Sequence, residues 1–131
     1  MKLLLDTHVW LWAVLTPERI AATARQAIED PHNTLLISAA SAWEIAVKHA
    51  IGKLPLPEKP ELLVPRVIAA LEAIELPVTS RHAISSAALP YHHRDPFDRL
   101  LVAQALCEGA ALVTVDELLT RYGATVLWAG S

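Results

Sequence analysis

With 131 residues, the chain has room for one domain with a real core and not for two. Hydrophobic residues make up 53% and charged residues only 19%, so part of the surface is expected to be covered by a partner or a second copy of the chain. A net charge of −3 excludes a broad basic footprint for nucleic acid but leaves room for a local basic patch. The single cysteine, Cys107, excludes a disulfide framework and fits a reducing compartment. No apolar run reaches the roughly 18 residues of a membrane span. The N-terminal stretch lacks the layout of a signal peptide, so a cytoplasmic protein without membrane contact is expected.

The first element is residues 3–5, three leucines in the run Lys2-Leu3-Leu4-Leu5-Asp6-Thr7. Apolar residues without alternation read as a strand buried on both faces. Asp6 ends it, and a short apolar helix over 7–15 follows. Thr16-Pro17-Glu18 has the chemistry of a helix start and predicts a second helix to about residue 29. After a turn at 30–33 come a strand over 34–38 and a long helix over 39–51, stopped by Gly52. An extended stretch at 54–57 leads to a helix over 61–73, which Pro65 weakens in its first turns. The third strand is 74–78. Thr79 or Ser80 can cap a helix to residue 89, and 90–95 is a polar loop. A helix over 96–108 ends at Gly109. Residues 111–115 form a fourth strand, 116–122 a short helix and 125–128 a last strand. This alternation predicts an α/β fold: one domain over 1–131, three layers α/β/α, a central and mostly parallel sheet, Rossmann-like. No glycine-rich loop follows a strand, which argues against dinucleotide or P-loop chemistry.

The carboxylates are the candidate functional residues. Asp6 and Asp116 each end a strand and precede a helix. Taken singly, each is as readily a helix cap as a ligand. Within 39–51, Trp43, Val47 and Ala50 form an apolar stripe beside a polar one of Ser41, Glu44 and Lys48. An isolated Glu44–Lys48 pair reads as a solvated ion pair, worth about 0.3 kcal/mol. Asp95-Pro96-Phe97-Asp98 resembles a capping arrangement with proline in the first turn. That reading explains Asp95 better than Asp98. Arg94 and Arg99 flank the stretch. Ligands bind at the carboxyl ends of parallel strands, and several acids gathered there would raise one another's pKa. A cation resolves that conflict. Hard oxygen donors select Mg²⁺ or Mn²⁺, which can activate water and stabilise a leaving oxygen in phosphodiester cleavage.

Four blocks carry a family resemblance: residues 4–8 (Leu-Leu-Asp-Thr-His), 38–45 (Ser-Ala-Ala-Ser-Ala-Trp-Glu-Ile), 95–105 (Asp-Pro-Phe-Asp-Arg-Leu-Leu-Val-Ala-Gln-Ala) and 112–116 (Leu-Val-Thr-Val-Asp). In this order the chain resembles a PIN-domain ribonuclease, of the VapC-type toxins found in type II toxin–antitoxin modules. The resemblance spans essentially the whole sequence. It implies Mg²⁺- or Mn²⁺-dependent RNA cleavage by Asp6, Glu44, Asp98 and Asp116, with Asp6 and Asp98 ligating directly and Glu44 and Asp116 completing the shell. Thr7 and Thr114 match accompanying hydroxyl residues, and Asp95 is kept as a cap or a group behind the ligands. Lys48, Lys53, His92, His93, Arg94 and Arg99 are candidates to hold the RNA backbone. The implied partners are the RNA substrate, an antitoxin protein and a second copy of the chain.

The remaining residues have plainer readings. His92 and His93 also read as loop surface, His8 as a structural or rim residue, and His49 as solvent-facing. Trp10, Trp12, Trp43 and Trp128 read as core or interface, and Cys107 as a small core residue. Two other functions are carried alongside. One is an aspartyl-nucleophile phosphohydrolase centred on Asp6, a chemistry that wants a second acid where this chain has His8. The other is a non-catalytic interaction module of the same fold.

Overall fold

The structure, a computed structural model, describes residues 1–130. Five strands form one sheet in the order β3-β2-β1-β4-β5, and every pairing is parallel. At the centre lies β1 (Lys2–Leu5), between β2 (Thr34–Ser38) and β4 (Ala111–Thr114). The edges are β3 (Ile74–Leu76) and β5 (Val126–Trp128). The leucine run explains why β1 is central, since Leu3, Leu4 and Leu5 are all fully buried. Leu3 and Leu5 enter one core with Trp10, Ile37 and Val113, while Leu4 enters the other with Leu36, Leu101 and Leu112.

Six helices cover the two faces: α1 (Thr7–Leu15), α2 (Ala22–Glu29), α3 (Ala39–Ala50), α4 (Pro60–Ala70), α5 (Ser80–Ala88) and α6 (Pro96–Glu108). Buried residues of α1 to α4 join the Leu3/Leu5 core, and Leu101, Val102 and Ala105 of α6 join the Leu4 core. The three-layer α/β/α expectation therefore holds. From β1 the chain winds to β2 and β3 on one side and to β4 and β5 on the other. The crevice where winding reverses lies at the carboxyl ends of β1 and β4. Leu5 pairs with Val113, so Asp6 and Thr114 come out side by side.

Several element boundaries differ from expectation for local reasons. The predicted second helix is split into a 3₁₀ turn at Pro17–Arg19 and α2 from Ala22. Ile20 is extended and buried, and the Ala21 N–H donates to the Ala129 carbonyl, which ties the chain to the strand side. Thr16 makes no side-chain cap. α4 stops at Ala70, with Glu72 at a positive φ of 51°. Residues Glu117–Tyr122 are 3₁₀ rather than α. Of the tryptophans expected in the core or an interface, Trp43 and Trp128 are exposed and so not in the core. Trp10 is fully buried, and Trp12 lies under the Arg19 guanidinium at 4.6 Å. Cys107 is half-buried, its Sγ 3.6 Å from Ser85 Oγ. Among the described residues no helix is long and apolar enough to cross a membrane.

Because Leu4 is the residue through which β1 reaches the α6 layer, Leu4→Ala is expected to destabilise the protein by about 2–5 kcal/mol. Urea unfolding followed by circular dichroism reads this directly, and an unchanged midpoint would contradict the assignment of β1 as the doubly buried centre.

Candidate metal centre

Each acid is held in place by a short-range device. Asp6 caps α1, its Oδ1 accepting the Thr7 N–H at 2.7 Å, while Oδ2 accepts the Thr114 hydroxyl at 2.7 Å. Thr114 Oγ1 in turn accepts the Asp116 N–H at 3.0 Å, which links the ends of β1 and β4. The Thr7 hydroxyl donates to Glu44 Oε1 at 2.7 Å, and Ser41 Oγ lies 2.9 Å from the Thr7 hydroxyl oxygen, placed to donate to it. Lys48 Nζ donates to the other Glu44 oxygen, Oε2. Glu44 is only 3% exposed, whereas Trp43 is 63% exposed.

The two stripes of α3 are therefore inverted relative to the sequence reading. Ser41 and Glu44 face inward, while Trp43 and Val47 face solvent. The Glu44–Lys48 pair is not a solvated surface pair. The inward pull comes from the Thr7 hydroxyl, itself met by Ser41, and from Lys48, which satisfy a buried carboxylate that would otherwise stay in water. Periodicity groups Ser41 with Glu44 and Lys48 but gives no sign of its partner Thr7, 34 residues away.

The second half of the site is built on α6 and the loop before it. Asp95 is the N-cap, its Oδ1 accepting the Phe97 N–H at 2.8 Å and the Asp98 N–H at 3.4 Å. Asp116 Oδ1 accepts the Leu118 N–H at 2.9 Å. His93 joins the acids: its Nε2 is 3.1 Å from Asp98 Oδ2 and 2.9 Å from Asp116 Oδ2. One ligand atom from each of His93, Asp98 and Asp116 lies within 4.8 Å of the others. The reading of His93 as plain loop surface is thus corrected.

Electrostatics tie the two halves together. The Asp98 carboxyl is pushed up to about 8, first by burial and then by the charges of Asp6, Asp95, Glu44 and Asp116. Asp6 is also raised by burial, against the lowering effect of the Thr114 and Thr7 hydrogen bonds. Lys48 is raised, chiefly by its bond to Glu44. Five carboxylates within electrostatic reach, with one paired lysine, leave the cluster short of positive charge. The carboxylates of that cluster, all hard oxygen donors, fit a small divalent cation.

The basic residues named from the sequence divide. Lys53, His92 and Arg94 are exposed, with the His92 ring packed against Tyr122 at 5.1 Å. Lys48 is committed to Glu44. Arg99 is only 6% exposed, and its guanidinium donates to the carbonyls of Ser86, Leu89, Pro90 and His93. It lies over the Tyr91 ring at 4.3 Å. A side chain with its donors spent on four carbonyls is not free for a phosphate, so Arg99 is a clamp on the loop that presents His93. The helical spacing of Arg99 with buried Val102 and Ala103 was the available signal. His49 is half-buried rather than solvent-facing, its Nδ1 lying 3.0 Å from the Leu54 carbonyl oxygen. His8 is exposed, with its ring 6.1 Å from that of Trp12. A further buried network went unseen in the sequence. Ser38 Oγ donates to Gln104 Oε1, and His82 Nε2 lies 3.1 Å from Glu108 Oε2, together fastening α6 to β2 and α5.

Fold and site together define an α/β protein whose acidic centre stands at the carboxyl ends of a parallel sheet. A family model described as "PIN domain" matches residues 3–124, and the chain belongs to that family. Its curated relatives include Ribonuclease VapC22 of Mycobacterium tuberculosis, 34% identical over 125 residues, which cover 91% of this chain and 90% of that protein. Ribonuclease VapC16 of the same organism is 49% identical over a shorter stretch of 51 residues, 36% of each chain. Within the PIN family the chain is thus of the VapC type. Solved structures of the same fold include DNA-bound VapBC from Salmonella typhimurium, with a TM-score of 0.73, 18% identity and 98% of each chain covered. VapBC2 from Rickettsia felis, bound to a promoter DNA fragment, gives 0.72 and 16%, covering 98% of this chain and 99% of that one.

Replacing Asp98 by Asn removes one of the repelling charges. In the metal-free protein at pH 8, Asp98→Asn is expected to be more stable than the parent by about 1–3 kcal/mol. The sign follows from the raised pKa. Folded Asp98 keeps its proton up to about pH 8, while the unfolded chain releases it near 3.8, so the parent loses stability as pH rises through that window. The gain should shrink towards pH 4. Denaturant titrations in EDTA from pH 4 to 9 test this, and a variant no more stable than the parent at pH 8 would refute it.

Proposed function

We propose that this chain is a divalent-metal-dependent ribonuclease that hydrolyses phosphodiester bonds within RNA, and that it is the toxin of a toxin–antitoxin pair. The observation that carries the proposal is the convergence of Asp6, Glu44, Asp98 and Asp116, from four separate segments, on a cluster whose burial and charge together raise Asp98 to about 8. The name of the relative that is 34% identical, a ribonuclease, supports the reaction class.

Asp6 and Asp98 would hold the metal directly, Mg²⁺ or Mn²⁺, with Glu44 and Asp116 completing the shell. Each Asp6 oxygen accepts one hydrogen bond and so keeps a second lone pair for a ligand. A bound divalent ion in such a site supplies an activated water and stabilises the leaving oxygen. The chain's own groups do the positioning. Thr114 aims Asp6, Thr7 aims Glu44 with Ser41 behind it, and Lys48 holds the other Glu44 oxygen. Asp95 fixes the first turn of α6 and so the place of Asp98. Lys53 and Arg94, with the exposed His92 beside Arg94, would meet the RNA backbone, and binding through so few cations should weaken with salt.

An antitoxin would cover apolar surface beside the acids. Trp43, Val47 and Ile51 stand exposed on the outer face and at the end of α3, and the Trp43 ring meets Phe97 edge-on at 5.0 Å. The solved VapBC structures of this fold support a partner protein of that kind. Other exposed apolar residues, Ile74 and Ile84 among them, suit a homodimer. A cytoplasmic location follows from the substrate. The aspartyl-nucleophile alternative gains nothing from His8, which lies exposed against Trp12.

The purified chain, free of antitoxin, is expected to cut single-stranded RNA with Mg²⁺ or Mn²⁺ and to stop on addition of EDTA. Asp6→Asn and Asp98→Asn should each lower the rate by at least about 100-fold with an unchanged circular dichroism spectrum. RNA left intact with both metals, or cleavage undiminished in both variants, would overturn the assignment.

A further inference from the structure

His93 is fixed from three sides. Its backbone N–H donates to Tyr122 Oη at 2.7 Å, and its carbonyl accepts from Arg99 at 3.4 Å. Its ring Nδ1 accepts the Asp95 N–H at 3.0 Å. An Nδ1 that accepts carries no proton, so the hydrogen-bond pattern places the ring proton on Nε2. That single N–H faces two carboxylate oxygens, Asp98 Oδ2 at 3.1 Å and Asp116 Oδ2 at 2.9 Å. An Nε2 that bears a proton has no lone pair to give a metal. In this arrangement His93 donates to Asp116 and stands against Asp98, and is not a ligand beside them.

We propose that His93 is an internal stand-in for the cation: a neutral donor that draws Asp98 and Asp116 together in the metal-free protein and yields their oxygens when a divalent ion binds. The inference rests on the metal-centre reading above. Its consequence follows from linkage. Contacts made only in the metal-free state stabilise that state, and so oppose metal binding by the same free energy. Removing the ring should therefore weaken the metal-free fold and tighten metal binding. A ligand would behave in the opposite sense, since its removal would loosen the metal. A residue that merely walls the site would leave affinity unchanged.

Calorimetric titration of Mn²⁺ into the full chain and into His93→Ala tests this without reference to activity. About tenfold tighter binding is expected in the variant, the equivalent of one hydrogen bond to a charged group. Thermal unfolding provides the second measurement. His93→Ala should melt below the parent in EDTA, and the gap should close in saturating Mn²⁺. A variant that folds only when Mn²⁺ is added also supports the proposal, and one still unfolded in saturating Mn²⁺ overturns it. Equal or weaker Mn²⁺ binding by the variant, with the parent binding normally, overturns the role of His93 and leaves the metal centre standing. A parent that takes up no Mn²⁺ overturns both.

Discussion

Asp98 sits where burial and four neighbouring carboxylates all disfavour its charge, and the rest of the molecule exists in the presence of that repulsion. The fold does not neutralise it. Lys48 is bonded to Glu44 alone, and His93, with Nδ1 accepting a backbone N–H, is a neutral donor. Like charges confined in a partly dry crevice spread apart unless each is held by its own anchor. The anchors here are short and local. Asp6, Asp95 and Asp116 accept backbone N–H groups at the start of a helical segment, where the helix dipole also favours a carboxylate. Glu44 has no helix start to use, and takes the hydroxyl of Thr7, backed by Ser41, and the ammonium of Lys48 instead.

The scaffold makes these anchors rigid. The β1–β4 register sets Asp6 against Thr114, and one threonine hydroxyl then serves Asp6 and Asp116 together. The α6 helix is fastened through Gln104 to Ser38 at the end of β2, and α5 is fastened to α6 through His82 and Glu108. Arg99 stitches the end of α5 and the following loop to α6 through four carbonyls. Acids far apart in sequence are thus aimed from two strand ends, the middle of α3 and the start of α6. A site made this way is stable in shape while destabilising in charge, which is the usual trade between stability and function at a binding centre.

Much of this was legible in the sequence. The leucine run gave β1 as a doubly buried strand, and Asp95, Pro96 and Gly109 gave the bounds of α6 because capping is a local matter of a few atoms. The acids at strand ends were visible for the same reason. What failed was anything decided by partners distant along the chain. The α3 stripes inverted because the hydroxyl that holds Glu44 belongs to Thr7, 37 residues away. Trp43 and Val47 looked like core by spacing, yet the sheet end wanted the polar face. Arg99 resembled a surface cation beside an acid, but its place in the buried face of α6 turned it inward. His93 was indistinguishable from His92 until the loop was closed by Arg99 and Tyr122, after which only one of the two ring systems faces the acids.

The central claim is that the carboxylate cluster carries more negative charge than the protein compensates, and that a divalent cation supplies the difference. The number of protons released when Mn²⁺ binds measures this most directly. With Asp98 at about 8, close to one proton per ion should be released at pH 7, falling to roughly a tenth at pH 9. Calorimetric heats compared across buffers of different ionisation enthalpy give that count. Binding with no proton release at pH 7, or a release that does not fall by pH 9, would contradict the account.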